Sequence, residues 1–188
     1  MKSKTVATTV IFSLALAACG QAPNPAAADV GASQAGDMKK PATTQALPSA
    51  GGGAMAPLNM AGVVADPAIH CSLDSINGTV SPSGYSLARG AEIAFSGWIA
   101  NQENKVPERS FVIIKNDQNA YVAFAPNDFA RPDVQKMLTA TGSDKYGFNA
   151  NSSLLEVAPG NYLISLGVDR SGVLSLCDTS AKLTVGVK

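Results

Sequence analysis

The residues of this 188-residue chain best suited to covalent or acid–base chemistry are few: Cys19, Cys71, Cys177 and a single histidine, His70. A Ser-His-Asp arrangement would have to use His70, because a neutral imidazole is its general base. His70 stands beside Cys71, and no G-x-S-x-G nucleophile elbow occurs in the chain. It reads as a surface or strand-edge histidine. The acids are scattered, Asp66, Asp74, Asp117, Asp128, Asp133, Asp144, Asp169 and Asp178 among them, and nothing promotes one pair over the rest as a glycosidase acid and base. There is no D-x-D-x-D calcium loop, no phosphate-cradling glycine loop after a strand, and too few His and Cys for a multi-ligand metal site. The sequence therefore assigns no catalytic residue, no metal and no cofactor. Lys+Arg and Asp+Glu are 14 each. That balance lacks the basic field a non-specific nucleic-acid binder uses to displace counterions.

The N-terminus carries a clearer signal. Met1-Lys2-Ser3-Lys4 precedes an apolar run from Val6 to Ala18, the layout of an export signal and too short for a permanent membrane span. The run ends Leu16-Ala17-Ala18-Cys19. This resembles the lipobox of bacterial lipoprotein precursors: a branched apolar residue, two small residues, then cysteine. The resemblance implies removal of residues 1–18 and acylation of Cys19 on its sulfur and new amino group, with palmitate the expected kind of chain. Several acyl chains together anchor stably where one is marginal. Gly20 follows where Asp would be the usual inner-membrane retention signal. The expected location is the cell envelope, on the periplasmic side or the surface, with the outer membrane favoured in a Gram-negative cell.

Residues 19–62 are rich in Ala, Pro, Gly, Ser, Gln and Thr, contain Gly51-Gly52-Gly53 and lack aromatic residues. Such a stretch buries too little apolar surface to offset its ordering entropy. It reads as a disordered tether, with a coil of roughly 35 Å end to end.

The elements that would position any site lie in residues 63–188. Ile93, Phe95 and Ile99 alternate with Ala94, Ser96 and Trp98. Tyr162, Ile164, Leu166 and Val168 share one face, as do Leu183, Val185 and Val187. Phe111-Val112-Ile113-Ile114 reads as a strand buried on both sides. Further short strands are expected at 73–80, 119–125, 152–157 and 173–177. Turn signals such as Ala158-Pro159-Gly160-Asn161 and Asp169-Arg170-Ser171-Gly172 separate them, and one short helix is expected from Pro132 to Leu138. The expected fold is an all-β, immunoglobulin-like β-sandwich of seven or eight strands with one short helix, preceded by the tether.

With Cys19 acylated, Cys71 and Cys177 remain, and an exported domain with two thiols suggests one disulfide, the competing reading being two buried free thiols. Tyr162, just after the Pro159-Gly160 turn, is placed to tie that turn down as a tyrosine corner. Trp98 is read as a core residue, its indole turned inward by a bulge at Gly97. Facing outward it would be a platform for a sugar ring, joined by Arg131 and Tyr146, although capping of the helix loop is the preferred role of Arg131.

A second resemblance spans nearly the whole domain. The series Asp74-Ser75-Ile76-Asn77-Gly78, Ile93 to Ile99, Arg131-Pro132-Asp133-Val134, Tyr146-Gly147-Phe148 and Pro159-Gly160-Asn161-Tyr162 resembles a small β-sandwich module found beside bacterial glycosyltransferases and other polysaccharide-related proteins. It implies an immunoglobulin-like fold and an envelope context, and no catalytic residues. The expected function is that of a lipid-anchored, non-catalytic binding or scaffolding module, with an envelope glycan or protein as partner and no nucleic acid. The alternatives are an envelope hydrolase with a carboxylate site and a structural coat protein.

Overall fold

The structure is a computed structural model that describes residues 46–49 and 51–187. The expected signal peptide, Cys19 and the first part of the tether lie outside the described residues. The described residues form eleven strands and one helix. The strands are β1 Ala56–Pro57, β2 Val64–Ala65, β3 His70–Ile76, β4 Tyr85–Ala88, β5 Glu92–Ala100, β6 Ser110–Lys115, β7 Ala120–Phe124, β8 Asn127–Phe129, β9 Gly147–Ser153, β10 Gly160–Arg170 and β11 Val173–Gly186; the helix α1 is Pro132–Met137.

Two sheets face each other. The smaller has the order β3-β5-β9-β8, and the larger β1-β7-β6-β10-β11-β2, with β4 also pairing β11 in parallel. The order is that of the immunoglobulin sandwich, with β3-β5-β9-β8 as strands A, B, E and D. Strands β6, β10 and β11 then correspond to C, F and G. The inner faces close over Ile93, Phe95, Ile99, Val112, Ile114, Phe148, Ile164, Leu166, Leu183 and Val185. This is the alternation read in the sequence, and burying such side chains stabilises by roughly 1.5–3 kcal/mol each. At the β10–β11 hairpin, Arg170 pairs with Val173 around Ser171 and Gly172 at φ 54° and 87°. Two positive-φ residues suit the right-handed twist of the flanking strands.

The all-β sandwich with one helix agrees with the sequence expectation; the strand details differ. The additional strands are the short ones, β1, β2, β4 and β8, whose two to four residues are too few to show a period. The strand expected at 152–157 lies earlier, at Gly147–Ser153, because Leu154 and Val157 are buried from a turn that Val157 N–H closes on the Leu154 carbonyl. The two strands expected at 173–177 and 183–187 are one bent strand, β11, with a register shift between Leu163 and Ser165 of its neighbour.

A larger correction concerns the tether, expected to run to residue 62. Met55 is fully buried in the core between the sheets, β1 pairs with β7, and Leu58 is buried against the outer face of the larger sheet. There it joins Phe111, Ile113, Val122, Leu174 and Leu176, with Leu47, Ala56 and Val63 packed around them. The folded part thus begins well upstream of Val63. It also explains the run Phe111 to Ile114, buried on both sides because a strap of the same chain covers its outer face.

Cys71 of β3 and Cys177 of β11 are bonded, Cα to Cα 6.3 Å, and join the two sheets. Tyr162 donates from its hydroxyl to the Ala158 carbonyl at 2.7 Å, the tie expected of a tyrosine corner. The Tyr121 hydroxyl accepts from Ala158 N–H at 3.1 Å, and the two tyrosine rings meet edge to face.

Candidate functional site

The residues proposed from sequence do not form one open site. Trp98 pairs in register with Ser72 and Gly147, on the outer face of the smaller sheet. It is half-buried against a small third cluster of Ala100, Val134 and Tyr146, so it is not a residue of the main core. The bulge expected at Gly97 lies on the opposite strand, at Leu73/Ser75. A Cβ on Gly97 would stand 2.3 Å from the Ser72 carbonyl oxygen, so the glycine allows β3 to approach β5 and does not turn the indole inward.

Tyr146 is fully buried, its hydroxyl donating to the Asn104 carbonyl at 2.8 Å, which removes it from any ligand surface. Burial pushes its phenol pKa up. Arg131 precedes α1 and is engaged with two acids. It contacts Asp133 through Nε and Nη2, and Asp74 through Nη1 at 2.7 Å. The hydrogen bonds from Arg131 hold the Asp133 carboxyl down at about 2. The fork ties the start of the helix to the bulge of β3, a positioning role. His70 is exposed at the first position of β3, opposite Ala100.

A better-formed surface lies on the larger sheet, on the half that the strap leaves open. Lys115, Leu163 and Lys182 stand in one row across β6, β10 and β11. Asn161 and Thr184 form the next row, with the Thr184 hydroxyl donating to the Asn161 amide oxygen at 2.8 Å. The turn at Asn116–Asp117 walls one side and Ser83–Ser86 the other, enclosing about 600 Å³. Leu163 is 48% exposed at the centre of this floor. Asp178 marks the border with the covered half. It accepts from Ser165 Oγ at 2.6 Å and from Lys115 Nζ at 2.9 Å, which lower its pKa in that order.

Neither family models nor curated proteins match this chain. The depression therefore has to be read from its own chemistry. It offers an apolar centre, a cation at Lys182, and amide and hydroxyl groups at Asn161 and Thr184. Among the described residues, no group of three or more His, Cys, Asp or Glu side chains is placed to hold a metal ion.

Sequence reasoning missed this site. Leu163 is the one apolar residue out of phase with Tyr162, Ile164 and Leu166, and that was the available signal. The lysines are 48 residues before it and 19 after it, and only the strand register makes them neighbours.

Proposed function

We propose that this chain is a lipid-anchored protein of the bacterial cell envelope whose β-sandwich is a non-catalytic binding module for an envelope glycan. The observation that carries the reading is the open half-face at Lys115, Leu163 and Lys182. Leu163 suits the apolar face of a sugar ring. Asn161 and Thr184 suit its hydroxyls, and Lys182 an acidic substituent. A depression of about 600 Å³ lies within the range of pockets that hold small ligands. The Cys71–Cys177 disulfide suits an oxidising compartment. The lipobox at Leu16–Cys19 supports the anchor, and residues 20–45 leave length for a spacer.

The test is capture from intact cells with a photo-crosslinking residue in place of Leu163, beside the same chain carrying Lys182→Glu. Glycan captured by the first and lost in the second supports the reading. Capture of protein alone would replace the glycan with an envelope protein partner. Turnover of a cell-wall, glycan or ester substrate by the full chain, abolished by one carboxylate or His70 change, would overturn it in favour of the hydrolase.

A further inference from the structure

The outer face of a β-sandwich sheet ordinarily meets water. Here Phe111, Ile113, Val122, Leu174 and Leu176 are all buried on that face, because Leu58 lies over it with Ala56 and Val63 of the same segment, Gly51–Asp66, whose first residues bond instead to β9 of the smaller sheet. The strap is held by short, scattered contacts, among them bonds from Ser153 N–H and Ser152 Oγ to the Gly53 carbonyl and an ion pair of Asp66 with Arg170. Gly52 N–H donates to Asn151, Met55 N–H to Ser153, Leu58 N–H to Ala120 and Asp66 N–H to Leu176. Its two strands have two residues each, whereas β10 and β11 share ten registered pairs. Met55 is its only side chain fully buried in the main core, and Leu58 its only side chain buried in the outer cluster. Upstream, Arg109 lies over the Phe111 ring and donates to the Leu47 and Pro48 carbonyls.

The strap ends five residues before Cys71. Cys71 is bonded to Cys177, on the same strand that β2 pairs with. Anything that draws the chain away from its N-terminal side meets Leu47, then β1, Leu58 and β2, and only then a covalent bond to β11. That bond sets how far the N-terminal segment can be drawn out before Cys71 is held against β11.

We propose that Gly51–Asp66 is a peelable strap, an opening unit separate from the sandwich, with the Cys71–Cys177 disulfide as its stop. In the closed state the strap masks the apolar face. In the peeled state the face is bare, the sandwich stays folded, and the twenty residues from 51 to 70 release roughly 70 Å of chain. Where the chain is held at Cys19 by lipid, as proposed above, tension on the tether opens the strap first. The strap itself depends only on contacts within residues 46–177.

Hydrogen exchange followed by mass spectrometry on the full, disulfide-intact chain across a denaturant series tests this. Strap peptides are expected to exchange with little denaturant dependence, and β6, β10 and β11 peptides only with global unfolding. Leu58→Ala should speed strap exchange at least tenfold and leave the β10–β11 peptides unchanged. In the Cys71→Ser/Cys177→Ser double variant the opening should spread into β3. Strap and β6 peptides exchanging together in the intact protein would overturn the strap. A β3 peptide that keeps its protection in the double variant while the strap opens would overturn the stop. Cys19→Ser should leave the exchange pattern unchanged, so a failure of the anchoring proposal is seen separately, as release from membranes.

Discussion

At the scale of single residues, three contacts have consequences that can be measured. Tyr162→Phe removes the hydroxyl that satisfies the Ala158 carbonyl. Losing this part-buried hydrogen bond costs about 0.5–1.5 kcal/mol, so the urea midpoint should fall accordingly with the m-value unchanged. Gly97→Ala sets a Cβ against the backbone of β3, at 2.3 Å from the Ser72 oxygen, and there is no flexible side chain to give way. About 2–3 kcal/mol of destabilisation is expected by the same measurement. Asp133 and Asp178 have folded-state pKa values below their ordinary value of 3.8, Asp133 at about 2 and Asp178 lowered by Ser165 and Lys115. A depressed carboxyl stabilises the fold fully above its unfolded pKa, and that contribution disappears as pH falls through the folded one. Acid titration of stability should therefore decline below pH 3.8 towards about 2, and Asp133→Asn should flatten part of that slope. Tyr162 was legible as a corner because Pro159-Gly160 announces the turn before it. Trp98 was misread because alternation alone leaves open which face of a strand is the inner one.

At the scale of elements, the disulfide and the strap divide the work of closing the sandwich. Closing a loop of 106 residues stabilises by about 4–5 kcal/mol on the chain-entropy account, so reduction of Cys71–Cys177 should lower the thermal midpoint by roughly 10–20 °C. Calorimetry with and without reductant measures it. The pairing of the two cysteines could be argued from their number and the expected export signal. Their placement on strands A and G could not, because it depends on which strands the fold brings to the same edge. The strap was invisible for a related reason. Ala, Pro and Gly around Met55 and Leu58 have no period, and two isolated apolar residues signal packing only when a sheet face lacks a cover. The doubly apolar run Phe111–Ile114 was a legible demand for such a cover, although not for its source.

For the whole molecule, the proposed organisation is a lipid anchor at Cys19, a spacer and a folded part with one open half-face. Cys19→Ser should move the protein from the membrane to the soluble fraction, and mass spectrometry of the native chain should find residues 1–18 removed and Cys19 acylated. The β-class, the spacing of the turns and the alternation that fills the core could be read from residue order alone, because these are local consequences of side-chain period and backbone propensity. The same residue order also carried the contiguous pattern Leu16-Ala17-Ala18-Cys19 on which the proposed anchor rests. What Met55 and Leu58 cover, that Trp98 lies outside the main core, and that Lys115, Leu163 and Lys182 share a row are visible in the packed fold and not before it. Those facts follow from pairing register between segments far apart in the chain, and a one-residue slip in register would send each side chain to the opposite face.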